Sequence, residues 1–416
     1  MFKTPIIVFI IIASLGMFNL AALGPSVIKV LELAGIGVIA AVILLQFVYT
    51  KEDGFDKRFK VEVSIILISV FLSMFMAYSG HNQGFSTTII AQRFMYFYLF
   101  YFALHLIRIP DYDLEKIIVY LAIVHVLFYM IQFASYPARV FDVRTSDERG
   151  TLRIFLPGLS YLVLGYFYML NKIFERFTPG KLALLFFFFS IFILMGTRQI
   201  LFSTFLLTML YILLSKRVKS KILILVIAAL SVVPVIFMFQ DIFLSLLDVS
   251  QQQSEGFAED IRVRAATFFI LELFPNNLSY LTGNGADSAN SPYGQTIQMY
   301  RDVYGFYQSD VGIIGDFTKF GALYVLAVFV LIFRMIFSKT GDDYSYIKYY
   351  YINILLTLFT GGSPFGEADS IVAIGMTMYI MDVDKHKRKL LEEEDDIPEE
   401  IYDRDGEDYR VTTTQT

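Results

Sequence analysis

A chain of 416 residues that is 56% hydrophobic and only 18% charged, with a mean hydropathy of +0.59, is too apolar for a soluble domain, which averages about 45–50% apolar and about 25% charged residues. It has no cysteine, which excludes disulfides, thiolate metal sites and cysteine nucleophiles, and no tryptophan, so tyrosine and phenylalanine must serve any membrane interface. The formal net charge of −5 comes largely from an acidic C-terminal stretch, and nothing in the charge pattern points to nucleic acid.

The apolar residues come in blocks such as IIVFIIIASL (6–15), LALLFFFFSIFILM (182–195) and LYVLAVFVLIF (323–333). Alternation at period two, the mark of a membrane β-barrel, is absent. A helix needs about 20 mostly apolar residues to cross the hydrocarbon core, and by that measure the chain predicts an all-α polytopic membrane protein with about twelve transmembrane helices. The expected spans are 5–23, 28–49, 61–79, 89–107, 116–136, 154–171, 181–196, 200–215, 222–240, 311–337, 347–360 and 371–381. Lys3 and the short apolar core behind it have the form of a signal peptide. A second span follows almost at once, so the first reads as an uncleaved anchor. Pro157 and Pro234 are placed to kink their helices. Helices one to nine then occupy 1–240, a large extracytoplasmic loop with short helices of its own 241–310, helices ten to twelve 311–384, and an acidic tail 385–416. The tail, with LEEEDDIPEEIYDRDGEDYR at 391–410, is too poor in apolar residues to pack and is expected to be disordered and solvated.

Placing the N-terminus in the cytoplasm puts KEDGFDKRFK (51–60), RIPDYDLEK (108–116), NKIFERFTPGK (171–181), KRVKSK (216–221), SKTGDDYSYIK (338–348) and KHKRK (385–389) inside. Each carries lysine or arginine and nearly all the lysines fall there, as the positive-inside bias demands. Both termini are then cytoplasmic. The outer segments keep arginines against that bias, including Arg139, Arg144, Arg149 and Arg153 before the sixth span. Ion pairs with Asp142, Asp147, Glu148 and Asp260 account for part of the set.

Three outer motifs carry candidate chemistry. GTRQ (196–199) is so short a turn that Arg198 stands at the mouth of a helix hairpin. Its planar fork suits a pair of phosphate oxygens, and the competing reading is an arginine snorkelling to lipid headgroups. In EDIRVRAATFF (259–269), Asp260 and Arg264 are spaced for a helical ion pair. Arg262 and Arg264 lie about 200° apart around a helix axis, so one of the two is expected to be structural. The third motif, LTGNGADSANSPYG (281–294), runs on to YGFYQSDVGIIGDFTKFG (304–321). GNG follows no strand and precedes no Lys-Ser/Thr, which makes it a poor phosphate cradle. Asp310 falls where the chain re-enters the membrane, and Asp316 lies deeper with Lys319 as its expected partner; ionisable groups at such depth are functional candidates. Of the four histidines, His81, His105, His125 and His386, none has metal-ligand spacing. His81, on an outer loop, ranks below Asp310 as a base, and Arg93 is expected to reach the outer interface.

In the order of these features the chain resembles the bacterial O-antigen polymerase and ligase superfamily, the Wzy-type polymerases in particular. A small residue and an arginine (Gly196-Thr197-Arg198) join two central helices. The long outer loop then offers Arg264 a helical turn before Phe268, a glycine turn (Gly283-Asn284-Gly285), and a Gly-Ile-Ile-Gly helix start at 312–315. The likeness covers about 180–340 and extends to the first half only through hydropathy. Ligases of the superfamily usually carry His-Asn just before that helix start; here the stretch is Tyr-Gly-Phe-Tyr-Gln-Ser-Asp (304–310), which favours a polymerase.

The resemblance implies a glycosyltransferase of the bacterial inner membrane, acting on its outer face without cofactor, metal or nucleotide sugar. Donor and acceptor would both be polyprenyl-diphosphate-linked oligosaccharide repeats, with membrane lipids around the enzyme and a chain-length regulator as a further partner. Charge growing on the leaving diphosphate calls for fixed donors, for which Arg198, Arg262 and Arg264 are the candidates. The acceptor hydroxyl calls for a base, for which Asp310 is the candidate. Arg93, Arg149, Arg153 and Arg301 would bind phosphate or glycan. A ligase is the alternative within this class. A lipid-linked glycan flippase or secondary transporter is the alternative outside it, but should show repeat symmetry and charges in mid-helix.

Overall fold

The computed structural model describes residues 3–48, 56–146, 152–215, 217, 221, 260–359 and 361–395. α1 (Lys3–Ser14) turns through a 3-10 segment, Gly16–Asn19, into α2 (Gly24–Val48). α3 (Lys60–His81) leads to α4 (Phe85–Ala91), a 3-10 segment (Arg93–Tyr98), α5 (Leu99–Ile107) and α6 (Asp111–Ser135). A short antiparallel ribbon of β1 (Thr145–Ser146) and β2 (Arg153–Ile154) pairs Thr145 with Ile154 and Ser146 with Arg153. α7 (Leu159–Glu175), α8 (Pro179–Leu194) and α9 (Arg198–Leu214) follow. Then come α10 (Ile261–Leu271), α11 (Asn277–Thr282), α12 (Pro292–Tyr304), a 3-10 turn (Gln308–Val311), α13 (Ile313–Phe337), α14 (Ser345–Thr357) and α15 (Ala368–Asp395).

Four of these, α2, α3, α6 and α13, are long and apolar enough to cross a membrane. A 25-residue helix such as α6 rises about 37 Å, more than the roughly 30 Å of a hydrocarbon core. The pair Phe85–Ala91 and Arg93–Ile107 passes the same test together, bent by 62°. The chain is therefore a helical membrane protein. Twelve spans are more than the described helices supply by length and apolarity: α1, α8 and α9 are apolar but only 12, 16 and 17 residues long. The expected span 222–240, with Pro234, lies outside the described residues, as does the segment 241–259. Pro157 kinks no helix; it precedes α7, which begins after Gly158 at φ 99°. The expected tail also starts too early. α15 continues through 385–395, carrying Arg388–Asp384 and Lys389–Glu393 pairs at helical spacing, and 396–416 lie outside the described residues.

Residues 371–381 of α15 are buried on every face, as in a helix at the centre of a bundle, and α15 packs on α1, α5, α6 and α7. Buried tyrosines need a partner for the hydroxyl. Tyr379 donates to the Ile109 carbonyl at 2.8 Å, and Tyr351 pairs with Thr377 at 3.0 Å. A second, smaller apolar core joins α10, α12 and the turn before α13 through Ala265, Phe269, Tyr293, Ile297, Phe306 and Val311. α13 breaks at Gly321 (φ 80°), where a Cβ would sit 2.3 Å from the Leu281 carbonyl oxygen. The carbonyls exposed by that break are taken up by the glycine turn: Asn284 N–H donates to Thr318 O at 2.9 Å and Gly285 N–H to Lys319 O at 2.8 Å.

The lysine-bearing segments meet at one end of the bundle. Arg58 donates to Ser338 at 2.7 Å, Lys387 to Asp111 at 2.7 Å, and Asn171 to the Asp342 carbonyl at 2.9 Å. Arg217 pairs with Asp343 at 2.6 Å and holds that carboxyl below its usual range. All six segments expected on one side thus contribute to one polar layer.

Candidate functional site

A cavity of about 890 Å³ opens among the helix ends opposite that layer, a size typical of ligand sites. Its first wall is the β1–β2 ribbon. Arg144 and Arg153 flank the Phe155 ring, their guanidinium carbons 5.5 and 5.1 Å from its centroid. Arg153 reaches on to the Thr197 hydroxyl at 3.5 Å, tying the ribbon to the α8–α9 turn. Gly196 (φ 59°) makes that turn, and Arg198 is the first residue of the 17-residue α9. A guanidinium at a helix N-terminus adds its charge to the positive end of the helix dipole.

The second wall comes from the large loop. Asp260 caps α10, its side chain accepting from the Arg262 N–H at 2.8 Å. With the cap thus engaged and the helix running through both arginines, Arg262 lines the cavity while Arg264 is exposed and does not. Asp310 lies in the 3-10 turn before α13, half-buried, with the Ser309 hydroxyl 3.4 Å from Oδ1. Among the described residues it forms no ion pair with any arginine. Gly312 (φ 55°) fixes this turn, because a Cβ there would fall 2.0 Å from the Leu358 carbonyl oxygen, which also accepts the Ile313 N–H at 3.0 Å.

The floor is built from the C-terminal half of α14 and the segment joining it to α15, which includes Gly361, Gly362, Pro364 and Glu367. Phe365 is fully buried, and its carbonyl oxygen accepts both the Tyr98 hydroxyl at 3.0 Å and the Tyr324 hydroxyl at 2.9 Å. Two residues on, Glu367 faces the cavity. Its side chain is exposed to that partly open space, and desolvation by the protein packed around it pushes its pKa up to about 7. The neighbouring Asp369 and Asp316 charges add to the rise and Lys319 opposes it. Asp369 also borders the cavity but is engaged, its Oδ2 accepting the Gly158 N–H at 2.7 Å.

The structure thus gathers Arg153, Arg198, Arg262 and Asp310 around one space. It does not bring in the others. Arg93 stands behind the cavity wall, turned to Glu32 at 2.6 Å and covering the Phe94 ring, two residues that line it, and so holds α2 against the segment before α5. Arg301, in the last turn of α12, lies over Tyr307 at 5.7 Å. Arg149 is outside the described residues. The expected Asp316–Lys319 pair is not formed within ion-pair distance; Asp316 is buried against Gly366 instead. His81 lies away from the cavity, stacked on Tyr293 at 4.0 Å, where the large loop docks on α3.

Four charged cavity residues, Glu32, Arg144, Glu367 and Asp369, were not among the candidates drawn from the sequence. Arg144 belonged to the outer arginines, but only the ribbon pairs it with Arg153. Glu367 had one available signal, its place in a Gly/Pro-rich segment just ahead of an apolar run. Chemically the cavity offers guanidinium donors for an anion, a helix N-terminus beside them, and two carboxylates without ion-pair partners among the described residues, Asp310 and Glu367. Comparison with family models, curated proteins and solved structures gives no match.

Proposed function

We propose that the chain is a membrane glycosyltransferase that polymerises polyprenyl-diphosphate-linked oligosaccharide repeats into a surface polysaccharide. The observation that supports this reading is the meeting of Arg153, Arg198 and Arg262 with carboxylates at one cavity. Arginines drawn from three separated segments converge where a diphosphate and a hydroxyl would have to meet. The sequence resemblance gives the reaction class, and the cavity supplies a matching set of groups.

In this reading the cavity faces outward from a bacterial inner membrane, and the lysine-bearing layer and both termini face the cytoplasm. Twelve spans would follow if the short apolar helices also cross and 222–240 adds one more. The acceptor hydroxyl of one repeat attacks the anomeric carbon of another, and the carbon–oxygen bond to the diphosphate breaks. The electron pair leaves on the diphosphate, whose growing charge Arg198 and Arg262 stabilise while Arg153 holds the donor. One of the cavity carboxylates accepts the hydroxyl proton. The reaction needs no cofactor. The test is purified protein with lipid-linked repeats, read as polymer ladders on a gel beside a polyprenyl diphosphate binding assay. Ladders that vanish with Arg198→Ala, together with weakened binding, are the expected result. A wild-type protein that binds polyprenyl diphosphate no better than a neutral polyprenol would remove the reading.

A further inference from the structure

We infer that Glu367, rather than Asp310, takes the proton of the acceptor hydroxyl in the proposed transfer. This rests on the glycosyltransferase reading and assigns a role within its site.

A base must be held rigidly relative to the groups that grip the donor, because small errors in position cost much of the rate. Arg153 and Arg198 are fixed in the main bundle, by the ribbon and by the start of α9. Glu367 shares that frame. The Phe365 carbonyl before it is held by hydroxyls from two different helical segments, and Asp369 after it is locked to Gly158. Gly158 opens α7 directly beyond the ribbon that carries Arg153. Asp310 instead sits between Phe306 and Val311, which belong to the smaller core. Its turn meets the main bundle where the Ile313 N–H donates to the Leu358 carbonyl, and its carboxylate already accepts the Ser309 hydroxyl, whereas among the described residues no hydrogen bond or ion pair engages the Glu367 carboxyl.

The charged surroundings of Glu367 suit the role. Asp369 on α15 and Asp316 on α13 make its ionisation harder, and Lys319 on α13 makes it easier. The other charged groups that line the cavity are Arg144, Arg153, Arg198, Arg262, Asp310 and Glu32, the last paired with Arg93. A carboxyl pushed up to about 7 is a stronger proton acceptor than an ordinary one while still ionised to a useful extent near neutral pH. The balance is complete. The acceptor oxygen bonds to the anomeric carbon, the diphosphate departs with its electron pair, and the hydroxyl proton passes to Glu367 and then to water.

The experiment compares Glu367→Gln, Glu367→Asp and Asp310→Asn in the full chain, with turnover measured from pH 5.5 to 8.5 and polyprenyl diphosphate binding measured in parallel. For the wild type, kcat/KM should rise through about pH 7, since the ionised carboxylate is the active form. Glu367→Gln should lose at least about a hundredfold in turnover, within the usual contribution of a general base. It should keep polyprenyl diphosphate binding, and its residual rate should no longer climb through neutrality. Glu367→Asp should recover part of the rate, and Asp310→Asn should retain the wild-type pH profile. Ladders and a pH profile unchanged in Glu367→Gln would overturn the assignment while leaving the glycosyltransferase reading intact. So would a flat profile confined to Asp310→Asn. Absence of polyprenyl diphosphate binding in the wild type, by contrast, brings down the reading and this assignment together.

Discussion

At the scale of single residues, the six candidate arginines with described positions, Arg93, Arg153, Arg198, Arg262, Arg264 and Arg301, divide into those that line the cavity and those that do not. Arg198 carries both the planar fork and the helix start, so lysine at that position keeps the charge and loses the geometry. Arg198→Lys is expected to stay impaired, by up to the hundredfold to thousandfold in rate, about 3–4 kcal/mol, that loss of one transition-state donor costs elsewhere. Steady-state turnover on a lipid-linked repeat measures it. Arg264→Ala and Arg301→Ala are the matched controls. One side chain is exposed and the other lies over Tyr307, so each should leave turnover within a few-fold of wild type. A hundredfold loss in Arg264→Ala would mean that the α10 face has been misread. The sequence already indicated that both arginines of α10 cannot serve one ligand, because 3.6 residues per turn sets them apart. Which one serves was decided by the Asp260 cap, a local contact that fixes where the helix begins.

At the scale of elements, the glycine-marked turns decide where the functional groups stand. Gly312 cannot take a Cβ without striking the Leu358 carbonyl, and its positive φ disfavours any side chain. Gly312→Ala should therefore unseat the turn carrying Asp310, with a loss of stability above the roughly 1 kcal/mol of an ordinary Gly/Ala exchange. A lowered melting temperature in detergent reports it. Gly180→Ala, with no atom within 4 Å of its Cβ, should leave the melting temperature unchanged or slightly raised. Turns of this kind were legible in the sequence, since Gly-Ile-Ile-Gly and Gly-Thr-Arg announce their own backbone needs. The segment 361–367 was not. Its place depends on Tyr98, 267 residues before the carbonyl it reaches, and no local pattern encodes a hydrogen bond over that separation. The ends of α7 and α15 were missed for a related reason. Pro157 and Gly158 start a helix inside an apolar run, and the acidic stretch after Lys389 still extends one through pairs four residues apart.

At the scale of the whole molecule, charge sorts the two ends. The polar layer gathers Arg58, Asp111, Asn171, Arg217, Asp343 and Lys387, and positive charge is retained on the cytoplasmic side. Reporter fusions at Lys57 and Ser220 should therefore be active only with a cytoplasmic reporter. An extracytoplasmic signal at Ser220 would reverse the proposed orientation and carry the cavity to the wrong face. The Arg217–Asp343 pair is partly exposed and its energetic worth is small, so Asp343→Asn should leave that topology unchanged. The apolar blocks made the membrane class and several long helices readable from composition alone. The number of crossings was less readable, because 12- to 17-residue apolar helices satisfy a hydropathy window without having the length of a full span.

The burial of α15 bears on how the protein is made. Its middle, 371–381, fills the centre of a bundle whose other members, α1, α5, α6 and α7, all precede it in the chain. During synthesis those helices leave the ribosome before the one they enclose. They must either hold open a space for it or remain loosely associated until it arrives. The two tyrosine hydroxyls on Phe365 and the Asp369 contact with Gly158 can form only at that last stage. The cavity floor is thus completed together with the bundle, and a nascent chain that has not yet placed α15 has arginines but no site.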